Sequence, residues 1–202
     1  MTSLATRHVM QANKSKNTKP ELRVRAALRE AGLGGYRLHW KAAPGKPDVS
    51  YPGKRVAIFV NGCFWHRCPF CSTRSPKSNV EFWEEKFARN RARDERDIDE
   101  LVRAGWTVLV VWECRLKRAW AEATLAELVR EVRLAGVGAA RLRAGVSSGH
   151  GDDVRPNLVW PRGGSVIVVG ARSTRRRVLA ARKVRMRHSG KGGPRRVRPR
   201  RC

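Results

Sequence analysis

KRVAIFVNGCFWHRCPFC, residues 54–71, runs without a break from an apolar segment into a loop carrying three cysteines and a histidine. Its first half, KRVAIFV (54–60), has the branched and aromatic composition of a strand. PDVSY (47–51) and the turn PGK (52–54) that joins it to this segment make the pair a hairpin. Further out, WTVLVVW (106–112) is a continuous apolar run, which suits a strand buried on both faces and so covered by helices on both sides.

The helices have their own start signals. Thr18-Lys19-Pro20-Glu21 is a capping-box pattern with proline in the first turn, opening a helix through Ala31 that Gly32, Gly34 and Gly35 end. YRLHW (36–40) alternates and reads as a strand. Ser78-Asn79-Val80-Glu81 is a second capping box, opening a long helix to about Arg103, and an amphipathic helix covers roughly 120–134. SVIVVGA (165–171) reads as a short strand. This order predicts an α/β fold: a three-layer domain around a mixed central sheet.

Charge divides the chain. The net charge of +27 and the acid-free stretch from Arg172 onward favour a polyanionic partner, nucleic acid before an anionic membrane. The basic segment cannot bury enough apolar surface to offset its ordering entropy. The chain therefore divides into an N-terminal DNA-contacting arm (1–18), a folded domain (19–135), and a linker with a largely disordered basic tail (136–202). No apolar run approaches the ~20 residues that span a bilayer, and the N-terminus has no secretory pattern. The expected location is a reducing cytoplasm, with association to the nucleoid through DNA.

In that compartment clustered cysteines point to metal. Cys63, Cys68 and Cys71 are spaced C-x4-C-x2-C, and Cys114 lies just past the apolar strand. Four thiolates with no open position favour structural Zn²⁺. Cys202, in the tail, is a bystander. Asp48, at the head of a strand after a PGK turn, is where many Mg²⁺ nucleases carry a metal carboxylate, and hard oxygen ligands suit that ion. On the long helix a stripe runs Trp83, Phe87, Asn90, Asp94, Ile98, Leu101, and polar groups on such a stripe need partners. Asp94 is thus a candidate to orient His66, which reads either as a zinc ligand or as a general acid or base. His8, His39, His150 and His188 have no suggestive setting. Spacing leaves Glu21 open between cap and metal site, and leaves Phe64, Trp65 and Trp83 open between core and base stacking.

SKNTKPELRVRAAL (15–28), PGKPDV (44–49), VNGCFWHRCPFC (60–71), EFWEEKFARNRARDERDI (81–98) and GWTVLVVWEC (105–114) occur in this order. Together they closely resemble the very-short-patch-repair DNA mismatch endonucleases. The resemblance implies a restriction-endonuclease-like fold and a monomer. It implies an enzyme that nicks double-stranded DNA 5′ of the thymine in a T·G mispair left by 5-methylcytosine deamination, alongside a cytosine-5 methyltransferase. It implies that Asp48 and the Val60 carbonyl bind Mg²⁺. His66 would be the general base, paired with Asp94, and Glu21 would lie near the metal's waters. Cys63, Cys68, Cys71 and Cys114 would hold zinc. Phe64, Trp65 and Trp83 would wedge beside the mispair, with Asn90 also on the DNA side. Asn61 stands where some members have a second active-site histidine. The alternative from the residues alone is a non-enzymatic zinc-containing DNA-binding module.

Overall fold

The computed structural model describes residues 16–71, 73–143 and 166–170. Most of the arm, Cys202 and nearly all of the basic tail therefore lie outside the described residues. Helix α1 (Lys19–Glu30) leads into the short strand β1 (Arg37–Leu38), then β2 (Val49–Tyr51) and β3 (Val56–Asn61). Helix α2 (Val80–Arg103) crosses to β4 (Thr107–Trp112), followed by α3 (Ala121–Arg143) and β5 (Val166–Val169). The five strands form one mixed sheet in the order β1-β2-β3-β4-β5. All neighbours are antiparallel except β3 and β4, which run parallel in register from Val56 beside Thr107 to Asn61 beside Trp112.

β4 carries the core on both faces, as its unbroken apolar run predicts. Leu109 and Val111 point into one cluster with Val24 and Leu28 of α1 and Leu128 and Val132 of α3. Val108, Val110 and Trp112 point into the other, with Ile98 and Leu101 of α2. Burial of each such side chain stabilises the fold by roughly 1.5–3 kcal/mol. Helices thus cover both faces of a mixed α/β sheet.

Four features depart from the sequence reading. First, α2 begins without its capping box: Asn79 is the N-cap, in the left-handed region at φ 52°, and makes no side-chain cap bond. Trp83 N–H closes the first turn on the Asn79 carbonyl, so Ser78 stands one residue too early to cap. Second, β1 is only Arg37–Leu38, because His39 turns to φ 44° and leaves the extended region. Third, α3 extends to Arg143, beyond the expected end near 134. Fourth, β5 pairs with β4, so the fold takes in segments on the far side of residue 135.

One glycine is fixed by packing. Gly45 has φ +67°, and a Cβ there would lie 2.8 Å from Asp97 Cβ on α2. The loop leading to Asp48 therefore rests directly against the long helix.

Candidate functional site

The residues of interest gather where β2 begins and β3 ends. Asp48 precedes β2, and the Val60 N–H donates to its Oδ2 at 2.7 Å. Burial pushes the Asp48 carboxyl up from 3.8 to about 6; the Val60 bond opposes this, the Glu21 charge adds to it, and Arg25 and His66 oppose it. Beside it stands His39, with Nδ1 3.6 Å from Asp48 Oδ1 and Nε2 3.6 Å from Glu21 Oε2. Burial holds the His39 ring below its ordinary pKa, more strongly than Glu21 raises it. Ligand atoms of Glu21, His39 and Asp48 lie within 4.8 Å of one another, a grouping that can hold a metal ion.

Glu21 is largely committed elsewhere. Its Oε1 accepts from the Thr18 hydroxyl at 2.8 Å and the Thr18 N–H at 3.3 Å. Its Oε2 accepts from the Asn17 N–H at 3.0 Å and from Arg25 Nη2 at 2.8 Å. The capping box read from the sequence is formed, and Glu21 also neutralises a guanidinium that is buried with it.

His66 follows β3 in the cysteine loop, and its Nδ1 contacts Asp94 Oδ2 on α2. The other Asp94 oxygen accepts from Arg93 at 3.2 Å. With Nδ1 committed to Asp94, Nε2 is the ring nitrogen left for a substrate. Four residues earlier on the same helix, Asn90 donates from Nδ2 to the Trp65 carbonyl at 3.1 Å, pinning the loop from a second point. The polar interruptions of the stripe thus have partners, as burial demands. Asn61, the last residue of β3, is 9 % exposed and sits between these groups in sequence.

The cysteines meet for a topological reason. Parallel pairing sets Asn61 beside Trp112, so Cys63 and Cys114, each two residues further on, arrive together. Cys114 N–H donates to Cys63 Sγ at 3.3 Å, and Phe70 N–H donates to Cys68 Sγ at 3.4 Å. Cys68 and Cys114 Sγ are 3.6 Å apart, and all four sulfurs lie within 4.8 Å of one another. Hydrogen bonds from Cys114, then from Cys63, pull the Cys68 thiol down to about 3. The same contacts raise the Cys63 thiol, so it is the convergence of the four sulfurs that can hold a soft cation.

Aromatic rings extend from the loop onto α2. Phe64 packs edge-on to Trp65, Trp83 and Phe87 at 5.0, 5.4 and 5.3 Å between centroids. Phe64, Trp65 and Trp83 are partly exposed, whereas Phe87 is buried. Lys86 Nζ lies over Trp65, Phe82 and Trp83 at 5.3, 5.6 and 5.2 Å. Phe82 is 49 % exposed and lines a cavity of about 690 Å³ with Lys86, Arg89, Asn90, Arg93 and Arg96.

The sequence-derived candidates therefore fall into two linked groups: Asp48, Val60 and Glu21 on one side, His66, Asp94, Asn90, the cysteines and the aromatics on the other. Three residues escaped that reading. His39 reads in the sequence as the inside of a strand. Arg25 looked like an ordinary helix cation, although its position four residues after Glu21 was a usable signal. Phe82 stood next to Trp83, off the counted stripe.

Residues 2–71 match the family model described as DNA mismatch endonuclease Vsr. Over 110 residues the chain is 46% identical to the Type II nicking enzyme V.XorIIP of Xanthomonas oryzae, covering 54% of this chain and 80% of that protein. It is 41% identical over 126 residues to the Type II nicking enzyme V.NmeAIP of Neisseria meningitidis, covering 62% and 89%. To the DNA mismatch endonuclease Vsr of Escherichia coli it is 40% identical over 108 residues, covering 54% and 69%. Similarity of this depth, across most of each relative, places the chain in a family: it belongs to the Vsr family of DNA mismatch endonucleases.

Proposed function

We propose that this protein is a Mg²⁺-dependent endonuclease that nicks one strand of double-stranded DNA on the 5′ side of the thymine in a T·G mispair. On this reading it is a cytoplasmic monomer with a restriction-endonuclease-like fold, initiating short-patch repair beside a cytosine-5 methyltransferase. The observation that carries the proposal is that the Asp48 carboxylate lies within the electrostatic reach of His66, whose Nδ1 is committed to Asp94. A binding module would have no use for an oriented imidazole next to a raised carboxylate.

The residues fit a hard divalent cation. Asp48 keeps Oδ1 free of the Val60 bond that holds Oδ2. The Val60 carbonyl leaves an extended strand on the same side as its N–H, toward the site. Continuing the register of Val49 beside Ile58 would set Pro47 opposite Val60, and proline has no N–H with which to claim that carbonyl. Asp48 and the Val60 carbonyl would thus hold the ion, which offsets phosphate charge when bound. His66 Nε2 accepts the proton of the attacking water, and Asp94 keeps the ring oriented and stabilises the imidazolium that results. Asn61 can add only neutral hydrogen bonds to the phosphate.

We assign the cysteine cluster to structural zinc. A tetrahedral ion with Zn–S of ~2.3 Å needs sulfurs about 3.8 Å apart, close to the 3.6 Å between Cys68 and Cys114. The ion would tie the loop carrying His66, Phe64 and Trp65 to the end of β4. The partly exposed aromatics, with Trp83 and Phe82, form the wedge that opens the weakly stacked mispair.

The test is a strand-specific nicking assay on end-labelled duplexes that differ only in one T·G pair. A Mg²⁺-dependent nick 5′ of the thymine, absent from paired duplex and abolished by EDTA, is expected. Tight, mismatch-selective binding with no cleavage at any Mg²⁺ concentration would overturn the assignment in favour of a zinc-containing DNA-binding module.

A further inference from the structure

We propose that His39 is a positioning residue for the Asp48 carboxylate, held in one tautomer by Arg25. The inference rests on the reading of Asp48 as the ligand of the catalytic cation, and it concerns a residue to which that reading gives no role.

Arg25 Nη2 lies 3.3 Å from His39 Nε2. Arginine only donates, so Nε2 must accept. A ring that accepts at Nε2 is neutral and carries its proton on Nδ1. That N–H faces Asp48 Oδ1 at 3.6 Å. The gap is longer than a formed hydrogen bond, as catalytic contacts in unliganded proteins commonly are, and it tightens when substrate and ion arrive. Arg25 is itself fixed, donating at 2.8 Å to Glu21 and at 2.6 Å to Asn17 Oδ1, with its side chain 5 % exposed. The result is a chain from the α1 N-terminus to the cation site: Thr18 to Glu21 to Arg25 to His39 to Asp48.

The backbone supplies independent support. His39 has φ 44°, a conformation unfavourable for a residue with a Cβ and concentrated at functional sites. This turn ends β1 one residue after the pair Leu38–Val49, so His39 stands opposite Asp48 in the continued antiparallel register. Once the His39 contact closes, Asp48 is held at both oxygens, Oδ2 by Val60 and Oδ1 by His39, which leaves the carboxylate one orientation toward the ion.

The geometry separates the conservative replacements. Asparagine tolerates the left-handed region and its amide nitrogen stands where Nδ1 does, so His39→Asn keeps the donor. His39→Gln reaches with its amide to the position of Nε2 and loses the donor to Asp48. His39→Gly relieves the backbone while removing the ring, which separates strain from function.

The experiment is Mn²⁺ binding to the full-length, zinc-loaded protein, read by electron paramagnetic resonance of the free ion, with melting temperature and zinc content measured on every variant. His39→Gly and His39→Gln should weaken Mn²⁺ binding about tenfold or more, as loss of a ligand's hydrogen-bonding partner does. His39→Asn should stay within about twofold of the parent. His39→Gly should melt no lower than the parent. Binding by His39→Gly within twofold of the parent, or His39→Asn as weak as His39→Gly at an unchanged melting temperature, overturns the inference. Asp48→Ala separates the two levels. If it binds Mn²⁺ like the parent, the cation assignment and this inference both fail. If it alone loses Mn²⁺ while the His39 variants do not, only the role of His39 fails.

Discussion

The two metal-competent clusters sit at the same end of the sheet yet are built by opposite means. The cysteine cluster is closed: four sulfurs converge, two of them carried there by parallel strands in register. The Asp48 cluster is open: one carboxylate is raised to about 6 by burial, its neighbours point at it, and among the described residues no second uncommitted carboxylate completes a shell. A site that needs its ion to hold a loop saturates the coordination sphere. A site that must admit a phosphate leaves positions vacant and tolerates an electrostatically uncomfortable ligand. The two are coupled through one loop, since residues 61–71 leave Asp48's partner strand and return through the cysteines carrying His66.

The sharpest break between them is functional. Asp48→Ala should lower nicking by about 10³-fold, the equivalent of several kcal/mol of charge stabilisation, with zinc content unchanged and melting no lower than the parent's. Residual activity within tenfold of the parent would remove Asp48 from the cation site. The raised carboxyl adds a pH signature. Its folded-state value of about 6 exceeds the ordinary 3.8, so the protonated form stabilises the fold at low pH, and that contribution is lost as pH rises through about 6. In Mg²⁺-free protein the parent should therefore lose about 2 kcal/mol relative to Asp48→Asn between pH 4 and 6.5. Mg²⁺ affinity should move the other way, falling as pH drops below about 6. Parallel melting curves for parent and Asp48→Asn would show that the carboxyl is not strained.

Cys114→Ala should reverse the pattern. Loss of one sulfur from a closed site should release zinc and cost several kcal/mol, roughly 10 °C in Tm for a chain of this size. Nicking should fail only as the loop carrying His66 loosens. Stoichiometric zinc with unchanged melting would refute a four-cysteine site. Trp65→Ala tests the surface between the clusters. Base–aromatic stacking is worth ~1–3 kcal/mol, so affinity for mismatched duplex should fall about tenfold and affinity for paired duplex less. A lowered Tm with the preference intact would make Trp65 a packing residue.

How far each cluster was legible follows from what brings it together. Cysteine spacing, the two-faced apolar run of β4 and the polar breaks at Asn90 and Asp94 are local patterns, and each forms the contact its spacing suggests. His39 was illegible because nothing local announces φ 44°. Its alternation with Arg37 reads as a longer strand, and only the fold sets it between α1 and β2. Ser78 shows the converse, a good local signal displaced because the chain leaving the cysteine loop reaches α2 through a left-handed Asn79.

That contrast gives the smallest and most discriminating test. The same four-residue motif opens α1 and is present before α2, one beside each cluster. At α1 the Thr18 hydroxyl both accepts from Glu21 N–H and donates to the Glu21 carboxylate. Thr18→Ala should therefore cost about 1 kcal/mol, and slightly more than a bare cap because it releases Glu21 from one of its partners. At α2 the Ser78 side chain caps nothing, so Ser78→Ala should change stability by less than about 0.5 kcal/mol. Equal costs at the two sites, measured by chemical unfolding of the zinc-loaded protein, would mean that α2 starts at Ser78 in solution. The stripe Trp83, Asn90, Asp94 would then have to be re-registered against the loop, and the His66–Asp94 contact with it. An unequal pair keeps the helix start at Asn79 and the imidazole where the proposed chemistry needs it.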